Sequence, residues 1–571
     1  NAPTISRSVK DGDGFALEAV MPTIPIYEAI ADAFRAEGTQ TLFVLTGDGN
    51  MHWEVALAES GGVRSVHVRH EHCACAMATA YAAAIGEVGV ASVTCGPGLT
   101  QIMTALATAA QARIPLVVFA GESPMHAAWY NQHIDQAPLV TGTGAHYIGG
   151  RSAVQILNNV RDAFYIARTR RQPVVLGVPL DLQQQKIERT DYTPSTDFIP
   201  DTGPMAAHPR YVETAANLIT AARRIVIVGG RGVMRSEARG ACEQLAEQTG
   251  ALLASTLPVR GLFDHNERSL GVAGGFSHHV ARERFQQADL VIAVGASLTH
   301  HTVDGGALFP NATVLQIDPE PQGLRQGRKG ADFHLRADAR EGVEALLRAL
   351  GSEPVSSDWP AEDLRALMAG PSDLADDPSE PGVHDPRAVM AALDAVIPKD
   401  WEVVNSSGHC SYFSAQMRGR SADHFLAIRE FGAIGNGLSY AAGLAAARPG
   451  RPLVLIDGDG GLLMHVQELE TIRRHGLKML ICVLNDGAFG SEIHKLRADG
   501  LSDHGATFGR GNLAHMAQGF GLRGQTISDL GRLPDLLEAH RTAEQSEIWD
   551  FPISDRVMSP VMRKGVAKKK K

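Results

Sequence analysis

Two short apolar runs that end in polar residues constrain this chain most. Pro452 to Ile456 leads into Asp457-Gly458-Asp459-Gly460-Gly461, and Met479 to Leu484 ends in Asn485-Asp486-Gly487. With a helical segment between them, they read as strand, turn, helix, strand, the connection that makes parallel neighbours in a sheet. Side by side, the strands would present Asp459 and Asp486 at their C-terminal ends, where open α/β sheets bind ligands. Hard oxygen donors suit Mg²⁺, which completes its shell with water and phosphate oxygens. Gly458, Gly460 and Gly461 let a diphosphate approach the backbone at a helix start. An ordinary strand–turn–helix with an aspartate cap would not need a second acid at the end of the next strand.

The same alternation runs through the rest of the chain and predicts parallel sheets with helices on both faces. Strands are expected at Thr41 to Leu45, Ser65 to Val68, Val90 to Thr94, Leu116 to Ala120 and Pro173 to Val178. Others are expected at Ile225 to Val228, Leu252 to Ser255, Leu290 to Val294 and Val314 to Ile317. At 571 residues there is length for about three or four domains. The expected division is residues 1–190, 191–355, a Pro/Ser/Asp/Gly-rich linker at 356–384, 385–558, and a basic tail at 559–571. A formal net charge of −10 argues against a general nucleic-acid binder. Six scattered cysteines with no CxxC pair signal neither zinc nor a disulfide framework. The polar N-terminus and the lack of a long apolar run predict no membrane span and a cytoplasmic location.

Gly-Asp-Gly, an interval of a little under thirty residues, then Asn-Asp resembles the thiamine diphosphate (ThDP) fingerprint. The chain is similar over nearly its whole length to ThDP enzymes of the acetolactate synthase and oxalyl-CoA decarboxylase kind. The resemblance implies the ThDP-binding α/β fold: three doubly wound parallel-sheet domains, pyrimidine-binding, middle and diphosphate-binding in that order. It implies Mg²⁺ on Asp459, Asp486 and the Ala488 carbonyl, with Asp486 where the family usually has Asn. Gly458, Gly460 and Gly461 would border the diphosphate, as would Gly408 and His409 of Ser407-Gly408-His409-Cys410. Glu71, in Arg69-His70-Glu71-His72, matches the carboxylate that holds the pyrimidine ring nitrogen. Gly96-Pro97-Gly98 matches a turn beside the cofactor, and Ile434 the apolar prop that bends it. Gly47-Asp48-Gly49-Asn50 copies the metal-loop letters without a second ligand, and falls where the family has a substrate-side glycine loop.

Substrate class turns on fewer residues. Glu492 is expected on a helix after the metal loop, either as a general base or as a surface residue paired with Lys495. Gln132 matches a glutamine facing the substrate. The tail from Ser559 to Lys571 is either a lid meeting CoA phosphates or a solubilising extension. In the middle domain Gly229-Gly230-Arg231-Gly232 and Asp318 match positions that hold ADP or FAD in relatives, unless the fold was kept and the ligand lost. Together Glu492, the basic tail and Asp486 look most similar to actinobacterial 2-hydroxyacyl-CoA lyases. That resemblance implies cleavage of a short 2-hydroxyacyl-CoA, such as 2-hydroxyisobutyryl-CoA, to a ketone or aldehyde and formyl-CoA, with Glu71, Glu492 and Gln132 catalytic. The alternative is an acetolactate synthase-like or decarboxylase enzyme acting on pyruvate-type substrates. The family pattern implies at least a homodimer with shared active sites, commonly a tetramer.

Overall fold

The computed structural model describes residues 22–321, 330–373, 375–377 and 380–569. Three six-stranded, all-parallel sheets dominate it, as the alternating sequence pattern predicts. The first holds β1 (Thr41–Val44), β2 (Arg64–His67), β3 (Gly89–Val93), β4 (Leu116–Glu122), β5 (His146–Gly149) and β6 (Pro173–Pro179), in the order β2-β1-β3-β4-β6-β5. The second holds β7 (Ile225–Gly229), β8 (Leu252–Ser255), β9 (Ser269–Val272), β10 (Leu290–Val294), β11 (Thr313–Ile317) and β12 (Phe333–Leu335), ordered β9-β8-β7-β10-β11-β12. The third holds β13 (Glu402–Asn405), β14 (Phe425–Leu426), β15 (Leu453–Gly458), β16 (Leu480–Asn485), β17 (Arg523–Thr526) and β18 (Glu547–Pro552), ordered β14-β13-β15-β16-β18-β17.

The first and third sheets therefore share one topology, and the second has the order of dinucleotide-binding folds. Central strands such as β4 and β6 are buried along their whole length, which is why they read as unbroken apolar runs. The first core is built around Trp53, stacked 4.3 Å from the Phe119 ring, with Phe34 edge-on at 5.0 Å. The expected strands do not include the edge strands β5, β9, β12, β14 and β17, which are short and only partly buried, nor β13 and β18, whose buried runs carry Glu402, Glu547 and Asp550.

Contacts group the described residues into two compact units. One takes the chain up to Asp201 together with 429–449 and 467–477; the other takes Thr202–Ile428, Gly450–Val466 and the chain from Lys478. In the first unit, helix α1 (Glu71–Ile85) packs against α2 (Gly437–Ala447). Alanines, cysteines and glycine at the contact let the backbones approach. A Cβ on Gly443 would sit 2.2 Å from the Met77 carbonyl oxygen. Gly443→Ala should therefore destabilise the protein by about 1–3 kcal/mol, read as a lower denaturant midpoint. An unchanged midpoint would show that the helices can part at no cost.

The second unit carries helix α3 (Asp459–Met464), α4 being the first unit's Glu468–Arg474, then α5 (Gly490–Ala498) and α6 (Pro560–Lys569). The basic C-terminal segment is thus no plain solubilising extension over its described part. It is a helix packed on α5, with Arg563 bound to Asp373 and Asp377 at 2.6 Å each and Lys564 to Asp304 at 2.8 Å. Lys570 and Lys571 lie outside the described residues, as does the N-terminal stretch 1–21. Among the described residues no helix is long and apolar enough to cross a membrane, and the six cysteines are buried and form no disulfide.

Candidate functional site

In a doubly wound sheet the ligand crevice opens where the strand order reverses. In the third sheet that point lies between β13 and β15. The loop after β13 carries Ser407, Gly408 and His409, and the end of β15 carries Gly458 and Asp459. The adjoining strand β16 adds Asp486, Gly487 and Ala488. Asp459 is buried; its two carboxylate oxygens accept from the backbone N–H of Gly460 (2.9 Å) and Gly487 (2.8 Å). Asp486 accepts from Ala488 N–H at 3.2 Å and hydrogen-bonds to Asp459. Burial, and for Asp486 the adjacent Asp459 charge, push both acids well above the usual carboxylate range.

Two carboxyls that meet in a buried corner must share a proton or hold a cation. Their oxygen-only donor set fits Mg²⁺, so the residues present suit the metal that the fingerprint implies. The glycines are needed here for space. A Cβ on Gly490 would lie 2.5 Å from Asp486 Oδ2, one on Gly461 2.7 Å from Asp457 Oδ1, and one on Gly460 2.8 Å from the Phe489 ring. His409 Nε2 accepts from Ser559 N–H at 3.1 Å, and burial pushes the imidazole down to about 3, so it is neutral. Asp457, completely buried and raised to about 7, was overlooked in the sequence. An acid closing an otherwise apolar strand was the available signal.

The first sheet reverses between β1 and β3, and the same logic applies. The loop after β1 holds Gly47-Asp48-Gly49-Asn50, and the turn after β3 holds Thr94-Cys95-Gly96-Pro97-Gly98. Buried Asn50 ties the first loop down through Leu45 O, Ser92 Oγ and Gly47 N–H. Asp48 is exposed on it. Gly96 adopts φ +57°, and a Cβ there would lie 2.1 Å from the Gln132 carbonyl oxygen, so the segment bearing Gln132 closes directly on the turn. Buried Gln136 bolts the two together, accepting from Gly96 N–H and donating to Gly121 O, both at 3.0 Å. Glu71 begins α1, and its Oε1 lies 3.6 Å from where a Gly98 Cβ would be.

Within this unit, then, Glu71, the Gly96-Pro97-Gly98 turn and Gln132 lie together. Ile434, half-buried, precedes α2 in the same unit. Asn436, two residues on, accepts from His72 Nε2 through its Oδ1 at 2.6 Å, which ties that segment to the start of α1 beside Glu71. Thr94, Cys95, Gln136 and Asn436 were missed in the sequence. Each serves by holding a loop, and polar loop residues look alike until their partners are known.

Glu492 stands apart. It is on the exposed face of α5, its side chain 52% exposed, taking a hydrogen bond from Lys495 Nζ at 3.1 Å. In the middle sheet, the loops at the reversal between β7 and β10 abut backbone to backbone: a Gly230 Cβ would lie 2.2 Å from Gly295 O. Asp318 follows β11 and accepts from Glu320 N–H at 3.1 Å.

Comparison with known proteins agrees with this layout. Residues 25–139 match the thiamine pyrophosphate enzyme N-terminal TPP binding domain, 212–346 the central domain, and 406–547 the C-terminal TPP binding domain. The chain is 30% identical over 477 residues to a probable acetolactate synthase large subunit of Methanocaldococcus jannaschii, covering 81% of this chain and 80% of that protein. An acetolactate synthase of Mycobacterium bovis is 30% identical over 480 residues (81% and 76%). Acetolactate synthase isozyme 3 large subunit of Escherichia coli is 29% identical over 490 residues (81% and 82%). Paired acids at one sheet reversal, Glu71 and its glycine turn at the other, and matches to all three domains lead to one statement: the chain belongs to the thiamine pyrophosphate (ThDP) enzyme family and is an enzyme.

Proposed function

We propose that the protein makes or breaks the C–C bond beside the carbonyl of a pyruvate-type 2-oxoacid, in the manner of an acetolactate synthase. The similarity to acetolactate synthases over four-fifths of the chain carries this reading. Bound ThDP would supply the electron sink for such chemistry. Asp459, Asp486 and the Ala488 carbonyl would hold Mg²⁺; Gly458, Gly460, Gly461, Gly408 and His409 would line the diphosphate. Glu71 Oε1 would hold the pyrimidine nitrogen's proton, Gly96 and Pro97 would border the ring, Ile434 would prop it, and Gln132 would orient substrate. The reading includes a homo-oligomer. The β9-β8-β7-β10-β11-β12 order and Asp318 support an adenine nucleotide in the middle domain, ADP or FAD; flavin absorbance of the purified protein tests the latter.

The 2-hydroxyacyl-CoA lyase reading, preferred from the sequence, is less well supported. Its general base, Glu492, is tied to Lys495 on an exposed face. Two of its lid cations, Arg563 and Lys564, are neutralised by Asp373, Asp377 and Asp304. One observation keeps it as a second reading: α6 docks on α5, the helix that bears Glu492, and the residue before α6 bonds to His409.

Incubation with ThDP, Mg²⁺ and either pyruvate or 2-hydroxyisobutyryl-CoA separates the two. The expected result is acetolactate from pyruvate. Acetone and formyl-CoA from the thioester, with pyruvate untouched, would replace the first reading with the second. Glu492→Gln should leave pyruvate turnover within about 3-fold, whereas a general base would cost about 10²-fold or more.

A further inference from the structure

We propose that Cys95 is a positioning residue whose thiol fixes the Gln132 carboxamide so that its NH₂ end is offered to the substrate. Cys95 follows Thr94 at the end of β3, in the turn that also contains Gly96 and Pro97. Its Sγ lies 3.2 Å from Gln132 Oε1, against 4.0 Å from both Tyr130 OH and Thr94 Oγ1. A thiol has one proton to give, and the shortest of these contacts receives it. Gln132 Oε1 is then the acceptor, and its nitrogen, on the other side of the carboxamide carbon, carries the donors. A site built this way gives hydrogen bonds to a carbonyl or carboxylate oxygen, which are the oxygens of a 2-oxoacid.

The surroundings hold Cys95 to this task. Thr94 Oγ1 accepts from Gly49 N–H at 3.0 Å, so the string runs from the loop after β1 through Thr94 and Cys95 to Gln132. Gly96 lets the Gln132 backbone close on the turn, and Gln136 locks that approach. The Gln132 main chain is therefore held close to the turn, and the Cys95 thiol restrains the carboxamide at the end of its side chain. The thiol is not a nucleophile here: Cys95 is 1% exposed, and burial, together with the Asp48 charge, pushes it above the ordinary thiol range.

The proposal rests on Gln132 facing the substrate. A double-mutant cycle on the holoenzyme, using the substrate it turns over, tests both layers. Cys95→Ala is expected to lower kcat/KM about 3- to 10-fold, the worth of one hydrogen bond, with the apparent affinity for ThDP unchanged. Cys95→Ser, which keeps a donor, should recover activity to within about 2-fold. In a Gln132→Ala background, Cys95→Ala should cost nothing more. Equal costs in both backgrounds, or failure of Cys95→Ser to recover, would make Cys95 a packing residue and overturn the proposal while leaving Gln132's role intact. A Gln132→Ala enzyme with unchanged kcat/KM would instead sink the substrate-facing reading, and the proposal with it.

Discussion

Glu71→Gln should lower turnover by about 10²- to 10⁴-fold, the range for a positioned proton-transfer group, while the fold stays intact. Glutamine keeps the size and one acceptor oxygen but cannot hold a proton that must shift between partners. The structural cost should be small because Glu71 is only partly buried and stands in the first turn of α1, whose capping contact comes from His70 Nδ1 to His72 N–H, not from Glu71. Its neighbours are the Gly98 turn on one side and, through His72, the Asn436 segment on the other. Activity and thermal midpoint measured on the same preparation decide the matter. Loss of both together would mean that Glu71 is a structural residue of the α1 start. Retained turnover would remove it from the chemistry.

The two sheet reversals were unequally legible in the sequence. Asp459 and Asp486 could be placed because β15 and β16 are parallel neighbours joined by a single crossover, and such units put their strand ends side by side whatever surrounds them. The glycines at 458, 460 and 461 marked the close approach for the same local reason. Sequence spacing says nothing of this kind for Gln132 and Gly96, which are brought together by a long loop. Cys95 and Gln136 were invisible because their significance lies in the partner, 37 and 40 residues away. For Glu492 the sequence left two readings, a general base and a surface residue paired with Lys495. Position three of a helix after a metal loop suggested a cleft, yet the side chain's direction depends on helix phase, and it turns to Lys495 on the solvent face. The tail read as a bare charge run because its partners, Asp304, Asp373 and Asp377, lie some 190 to 260 residues earlier in the chain.

Asp459→Ala should abolish measurable Mg²⁺ binding in the presence of ThDP, a loss of at least about 10²-fold since even groups that merely support ligands are worth about 10- to 100-fold. Asp486→Asn should behave differently. Its Oδ1 already accepts from Ala488 N–H, a role an amide oxygen can keep, and an amide oxygen remains a hard donor. What it removes is one of two acids that burial drives to share a proton, a cost the folded apoprotein carries without benefit. The metal-free Asp486→Asn protein should therefore melt at or above the temperature of the metal-free parent. Asp459→Ala should melt lower, because it strands the Gly460 and Gly487 N–H groups that Asp459 satisfies. Melting curves of both variants in EDTA and in excess Mg²⁺ with ThDP separate these effects: a ligand raises the midpoint only of a protein that binds it. A midpoint for Asp459→Ala that rose with Mg²⁺ as far as the parent's would move the metal away from this pair of strand ends. A marked fall for metal-free Asp486→Asn would show that the second acid steadies the fold and is not held there, at a cost, for the cation.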